Sequence, residues 1–139
     1  MKSRIIISLI YILFYVPAIA ENLNIQSLKI TLDKKKEITI FQNQVSAEDD
    51  KNNQLLTEYA EYDKNLQIFK SIGDTTVITS GGYTVEGIDI TIDNNKKIIK
   101  SNNPALIQDL EKNKIYLNNF EYSTIDGLFQ SIGNIEVLD

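Results

Sequence analysis

The 139-residue chain contains no His and no Cys. Its carboxylates are therefore the first place to look for chemistry. Without histidine the usual general base near neutral pH is missing, and without cysteine there is no thiolate nucleophile, thiolate zinc site, disulfide framework or lipidated N-terminal cysteine. Glu48-Asp49-Asp50 could serve as an acid pair or a calcium ligand set, but beside Lys51 it reads more simply as a solvated charged turn. "DITIDNN" (Asp89 to Asn95) sets oxygen ligands at alternate positions and lacks the glycine-rich nonapeptide of a calcium-binding β-roll. "SGGY" (Ser80 to Tyr83) leads into an apolar strand pattern and not into a helix, so it is a turn and not a phosphate loop. No nucleophile elbow or zinc motif is present. Tyr62 and Tyr122 are expected to pack their rings inward, with the hydroxyls at a rim. The expectation is a protein that is not an enzyme and carries neither cofactor nor metal.

With catalysis set aside, what remains is apolar side chains and the elements that align them. "FKSIGDTTV" (Phe69 to Val77) returns sixty residues later as "FQSIGNIEV" (Phe129 to Val137). Over Glu61 to Val77 and Glu121 to Val137, seven of seventeen positions are identical, against about one by chance. Half that offset also works. Asp33, Asp63, Asp93 and Ser123 each open a polar turn. Five residues on stand Ile38, Ile68, Ile98 and Leu128, and ten on stand Asn43, Gly73, Asn103 and Gly133. Gly and Asn tolerate positive φ, so a bulge or bend is expected to recur there.

Each thirty-residue unit reads as two strands. The first alternates on even numbers, through Leu28, Ile30 and Leu32, then Ala60 and Tyr62, then Ile88, Ile90 and Ile92, then Phe120 and Tyr122. Strict alternation means one dry face and one wet face. After the bend the second strand's apolar positions are odd, among them Val45, Val77, Ile107, Ile135 and Val137. No unit can bury its face alone, so the units must stack. The predicted fold is all-β, a β-jellyroll formed as a twisted V-shaped trough of stacked antiparallel hairpin units. Its lining is predicted to be Ile30, Leu32, Ile38, Val45, Ala60, Tyr62, Ile68, Val77, Ile88, Ile90, Ile92, Ile98, Ile107, Phe120, Tyr122, Leu128, Ile135 and Val137.

Residues 1–20 have the pattern of a cleavable signal peptide. Lys2 and Arg4 precede an apolar run from Ile5 to Val16, Pro17 breaks it, and Ala18-Ile19-Ala20 is a small-residue cleavage site. Residues 21–139 form the predicted domain. Loss of the two leader cations takes the net charge from −5 to −7, which disfavours a general nucleic-acid binder.

"LLTEYAEYDKNLQIFKSIGDTTV" resembles the OstA-like repeat of the lipopolysaccharide-transport jellyrolls, with Ala60, Tyr62, Asp63, Gly73 and Val77 at the repeat's positions. Phe120, Tyr122, Gly133 and Val137 mark a second copy. The family comprises LptA, LptC and the N-terminal periplasmic domain of LptD, and the last stretch most resembles the LptD domain. The resemblance implies a periplasmic module that shields the acyl chains of lipopolysaccharide in an apolar groove on the way to the outer membrane. It also implies partner jellyrolls joined head to tail by strand addition. The LptD reading requires truncation after Asp139, with an outer-membrane barrel to follow, and the absence of cysteine departs from the disulfides of many LptD proteins. An LptA-type bridge protein is the nearest alternative. A structural β-solenoid and a polysaccharide-acting β-helix enzyme remain open; the latter needs clustered carboxylates on a wet face that mixes Lys, Thr, Asn and Glu.

Overall fold

The computed structural model describes residues 23–138, and every regular element among them is a strand. The expected signal peptide and Asp139 lie outside the described residues. In chain order the strands are β1 (Leu23–Gln26), β2 (Lys29–Asp33), β3 (Ile38–Asp49), β4 (Gln54–Asp63), β5 (Ile68–Ser71), β6 (Asp74–Ile78) and β7 (Thr84–Ile88). They continue as β8 (Thr91–Asp93), β9 (Ile98–Ser101), β10 (Ala105–Gln108), β11 (Lys114–Leu117), β12 (Phe120–Ser123), β13 (Leu128–Gln130) and β14 (Ile135–Leu138).

All pairings are antiparallel, and they trace one sheet folded along a line of corners. The first layer runs β2, the start of β3, the end of β4, β5, β8, β9, β12 and β13. The second runs β1, the end of β3, the start of β4, β6, β7, β10, β11 and β14. The long strands β3 and β4 belong to both layers. This is the predicted all-β jellyroll of hairpin units.

The thirty-residue period has a physical origin at each turn. Asp33, Asp63 and Asp93 each accept two backbone N–H bonds through Oδ1, from residues two and three further on, at 3.0–3.2 Å. Ser123 takes the same place, its Oγ accepting from the Asp126 N–H at 3.2 Å. Glu37, Gln67, Lys97 and Gly127 close these turns with φ between 55° and 69°. A second row of turns serves the other layer. There Asp49 and Asp109 receive both the N–H and the side-chain amide of Asn53 and Asn113, and Thr79 Oγ1 receives the Tyr83 N–H.

The corners coincide with the predicted bends. β3 slips register between Gln42 and Val45, with Asn43 at φ 66° and Gln44 at φ 51°. Gly73 and Gly133 have φ of 90° and 111°. At the third corner Asn103 keeps ordinary φ. Its N–H donates to Ser101 Oγ and its side-chain amide to the Ile88 carbonyl, with Pro104 following. Beside the corners the inward positions are mostly small: Ala60, Ser71 and Ser101 in one layer, Thr57, Thr75, Gly87 and Ala105 in the other. A Cβ on Gly87 would stand 3.3 Å from Ile90 Cδ1, which shows how closely the layers converge there. The corner hydroxyls are satisfied locally. Thr75 Oγ1 lies 2.7 Å from Ser71 Oγ and 3.2 Å from Thr57 Oγ1, and Ser71 Oγ accepts the Ile90 N–H.

One expectation is overturned by register. Ile38, Ile68, Ile98 and Leu128 do not face inward. Asp33, Asp63, Asp93 and Ser123 stand directly opposite them across the hairpins, so each pair shares the outer face. The inward row lies one residue further on, at Thr39, Phe69, Ile99 and Phe129. Ile88 also faces out. It pairs with Asp74 at the end of β7, and Asp89 at φ 53° turns the chain before Ile90 goes in. The switch in parity along the second strands therefore occurs at the turns, not at the bends.

Candidate functional site

The inward faces of the two layers form one continuous apolar interior. In the first layer the register aligns Leu32, Thr39, Tyr62, Phe69, Ile92, Ile99, Tyr122 and Phe129 across the strands. In the second it aligns Ile25, Ala47, Leu55, Val77, Val85, Ile107, Ile115 and Val137. Of the predicted lining, Val45, Ala60, Val77, Ile90, Ile92, Ile107, Phe120 and Tyr122 are buried in this core, and Tyr62 packs against it partly covered. Four more predicted residues face the same way but stand exposed at the two ends of the stack. Ile30 and Leu32 lie on β2 at one end, and Ile135 and Val137 on β14 at the other. Among the described residues each end strand has no neighbour on its outer side, so inward-facing apolar side chains stay visible there.

Leu55, Phe69, Val85, Ile99, Ile115 and Leu117 also line the interior and were missing from the predicted set. The signal for several was present. Leu55, Val85 and Ile115 recur at thirty residues, and Phe69 and Phe129 are identical across the sixty-residue repeat.

Opposite the corners the layers meet at a mouth between the two rows of turns. The Tyr83 ring, at the tip of the second layer, stands edge-on to Phe129 of the first, with centroids 5.4 Å apart. Phe129 in turn packs 4.5 Å from Tyr122 and 6.3 Å from Phe120. The Tyr122 hydroxyl interacts with Thr79 and Ser80 of the facing turn. Burial raises the Tyr122 phenol above its ordinary 10.0, while those two partners pull it the other way. The predicted placement of this tyrosine, ring inward and hydroxyl at a rim, matches what is seen. At the other tyrosine with a resolved shift, Tyr59, slight burial and the nearby Glu61 carboxylate also raise the phenol.

Of the possible calcium ligands, Asp49, Asp89 and Asp93 are spent on backbone geometry. Asp49 and Asp93 hold turns, and the Asp89 carboxylate accepts the Gly73 N–H at 2.7 Å. No cluster of three metal-ligating side chains occurs among the described residues.

No family model matches the sequence, and no curated protein is similar to it in sequence. Solved structures do match. One is the crystal structure of LptH from Pseudomonas aeruginosa, the LptA-homologous periplasmic component of the lipopolysaccharide transport device. It is 14% identical, with a TM-score of 0.69 over 84% of this chain and 94% of that one. The two chains share the jellyroll fold. At that identity the likeness is one of backbone, so the interior described above has to carry any functional argument on its own residues.

Proposed function

We propose that this chain is a periplasmic lipid-transport module, which shields the acyl chains of lipopolysaccharide between its two layers. The carrying observation is the inward, largely apolar surface, which runs from Ile30 and Leu32 at one end to Ile135 and Val137 at the other. The jellyroll shared with LptH supports the same reading. Each methylene kept from water is worth about 0.8 kcal/mol, so a chain crossing between modules needs this surface to continue.

The ends are suited to continuity. Among the described residues each layer has an even number of strands, all antiparallel, so its first and last strands run in opposite directions. A second jellyroll stacked in the same orientation would therefore set β1 against β14 and β2 against β13, antiparallel in both layers at once. Ile25 and Leu23 would then continue the inward row beyond Ile135 and Val137. Head-to-tail strand addition, to itself or to other jellyrolls of a transport bridge, belongs to this proposal. So do a cleaved leader at residues 1–20 and an LptD-like identity with an outer-membrane barrel beyond residue 139.

The test is photo-crosslinking. A photoreactive residue at Ile90 or Phe120 should capture lipopolysaccharide, and one at Thr91 or Glu121, on the outer face, should not. Equal capture from both faces sinks the proposal. Full burial of Leu55, Phe69 and Ile99 favours a second reading, a structural or interaction β-solenoid. Absence of capture at both interior positions would select it.

A further inference from the structure

The two rows of turns that border the mouth differ in charge. The row on the first layer carries Lys34, Lys35, Lys36, Lys64, Lys96 and Lys97 against Asp33, Glu37, Asp63, Asp93 and Asp126, and the Lys97 ammonium donates to Asn94 Oδ1. The facing row carries Glu48, Asp49, Asp50, Asp109 and Glu111 around Lys51, Lys112 and Lys114. The first-layer rim is thus slightly positive and the facing rim negative, in a chain of net charge −5.

The rim is also a built structure and not a set of loose loops. Its turns are tied to one another side by side. The Asn65 side-chain amide donates to Glu37 Oε2 at 3.0 Å, the Asn95 side-chain amide to the Leu66 carbonyl at 3.2 Å, and the Asn94 N–H to the Gln67 carbonyl at 3.0 Å. The Thr124 N–H and hydroxyl both donate to the Lys97 carbonyl. The carboxylates at the base of the turns, Asp33, Asp63 and Asp93, already accept the turn N–H groups. Glu37 holds Asn65, and Asp126 lies at the fourth turn, which has no lysine. Successive turns are two strands apart, so cationic side chains recur about every 10 Å along the mouth.

We propose that this rim binds the phosphate of an anionic lipid headgroup while the acyl chains lie between the layers. The inference rests on the lipid-transport reading and adds the chemistry of the headgroup to it. An amphiphile with its chains inside must hold its polar end at the mouth. There one side offers ammonium groups on fixed turns and the other offers carboxylates, so a phosphate leans to the first layer.

The probes are lysophosphatidic acid and the monoacylglycerol with the same acyl chain, each competing against a hydrophobic fluorophore. The protein should prefer lysophosphatidic acid by about tenfold, equal to about 1.4 kcal/mol. A variant with the six rim lysines changed to Gln should lose that preference and still bind monoacylglycerol as before. A milder Lys34→Gln/Lys64→Gln/Lys96→Gln variant serves if the first does not fold. Lys51→Gln/Lys112→Gln on the opposite row should change nothing. A preference that survives the rim substitutions, or that falls equally in the control, overturns the assignment. So does inorganic phosphate alone displacing lysophosphatidic acid at matching concentration, which marks a free-anion site. If monoacylglycerol also fails to bind, the transport reading falls and the headgroup site with it.

Discussion

At Gly73 the residue alone sets the energetics. A Cβ there would meet no heavy atom within 4 Å, yet φ is 90°. Any cost of a side chain is therefore backbone strain and not crowding. Gly73→Val should lower stability by more than about 1 kcal/mol, read from chemical denaturation, because a β-branched residue tolerates that region poorly. An unchanged midpoint would show that the corner can relax. Two titrating groups give pH signatures of opposite sign. The Asn113 amide holds Asp109 below its ordinary 3.8, so this contribution is present above that value and fades as pH falls through the lowered one. Tyr122 is raised above 10.0, so its contribution is complete below 10 and is lost as pH climbs through the raised value. Alkaline unfolding followed by circular dichroism should be less steep in Tyr122→Phe.

Strands and turns are where the sequence was most legible. The turn-opening Asp at thirty-residue spacing announces its own function, because a short carboxylate can accept adjacent turn N–H groups. The bends were legible because Gly and Asn mark positive φ, although Asn103 shows that such a residue can turn a corner without it. The face of Ile38, Ile68 and Ile98 was not legible from apolarity. An isoleucine opposite a capping Asp half-buries itself on the outer face, and periodicity alone does not say which side of the hairpin a turn delivers. Nor could alternation foresee that the β2 and β14 residues stand exposed, since that depends on their place at the ends of the described stack and not on their own pattern. β14 is exposed at all four positions. Placing a cation on its inward face with Val137→Lys should reduce any concentration-dependent association seen by light scattering, with little change in melting temperature.

At the scale of the molecule, the described residues form a zigzag in which every paired strand lies close in the chain. The widest register pair joins Leu23 to Asp49, less than one repeat apart. Closure therefore never requires a distant segment to come back, and the entropy of loop formation stays small for a fold with no helix among its described residues. Stability should accumulate unit by unit along the axis. A chain cut after Gln108 keeps β1 to β10 with all their mutual pairings, and should retain β-type circular dichroism and a cooperative melt at lower temperature. Loss of all structure on that truncation would mean that the aromatic contacts of Tyr122 and Phe129 hold the fold globally.

The same topology bears on how such a chain can be made. Each hairpin finds its partner in what has already emerged, so a chain delivered N-terminus first could complete its layers in the order of delivery. At every stage the growing edge is the same kind of strand, paired on one side, that β13 and β14 form among the described residues. A partly emerged jellyroll is then a shorter version of the described one, and premature docking to a finished neighbour competes with addition of its own next hairpin. The rate of its synthesis, more than the depth of its core, would decide whether truncated assemblies accumulate.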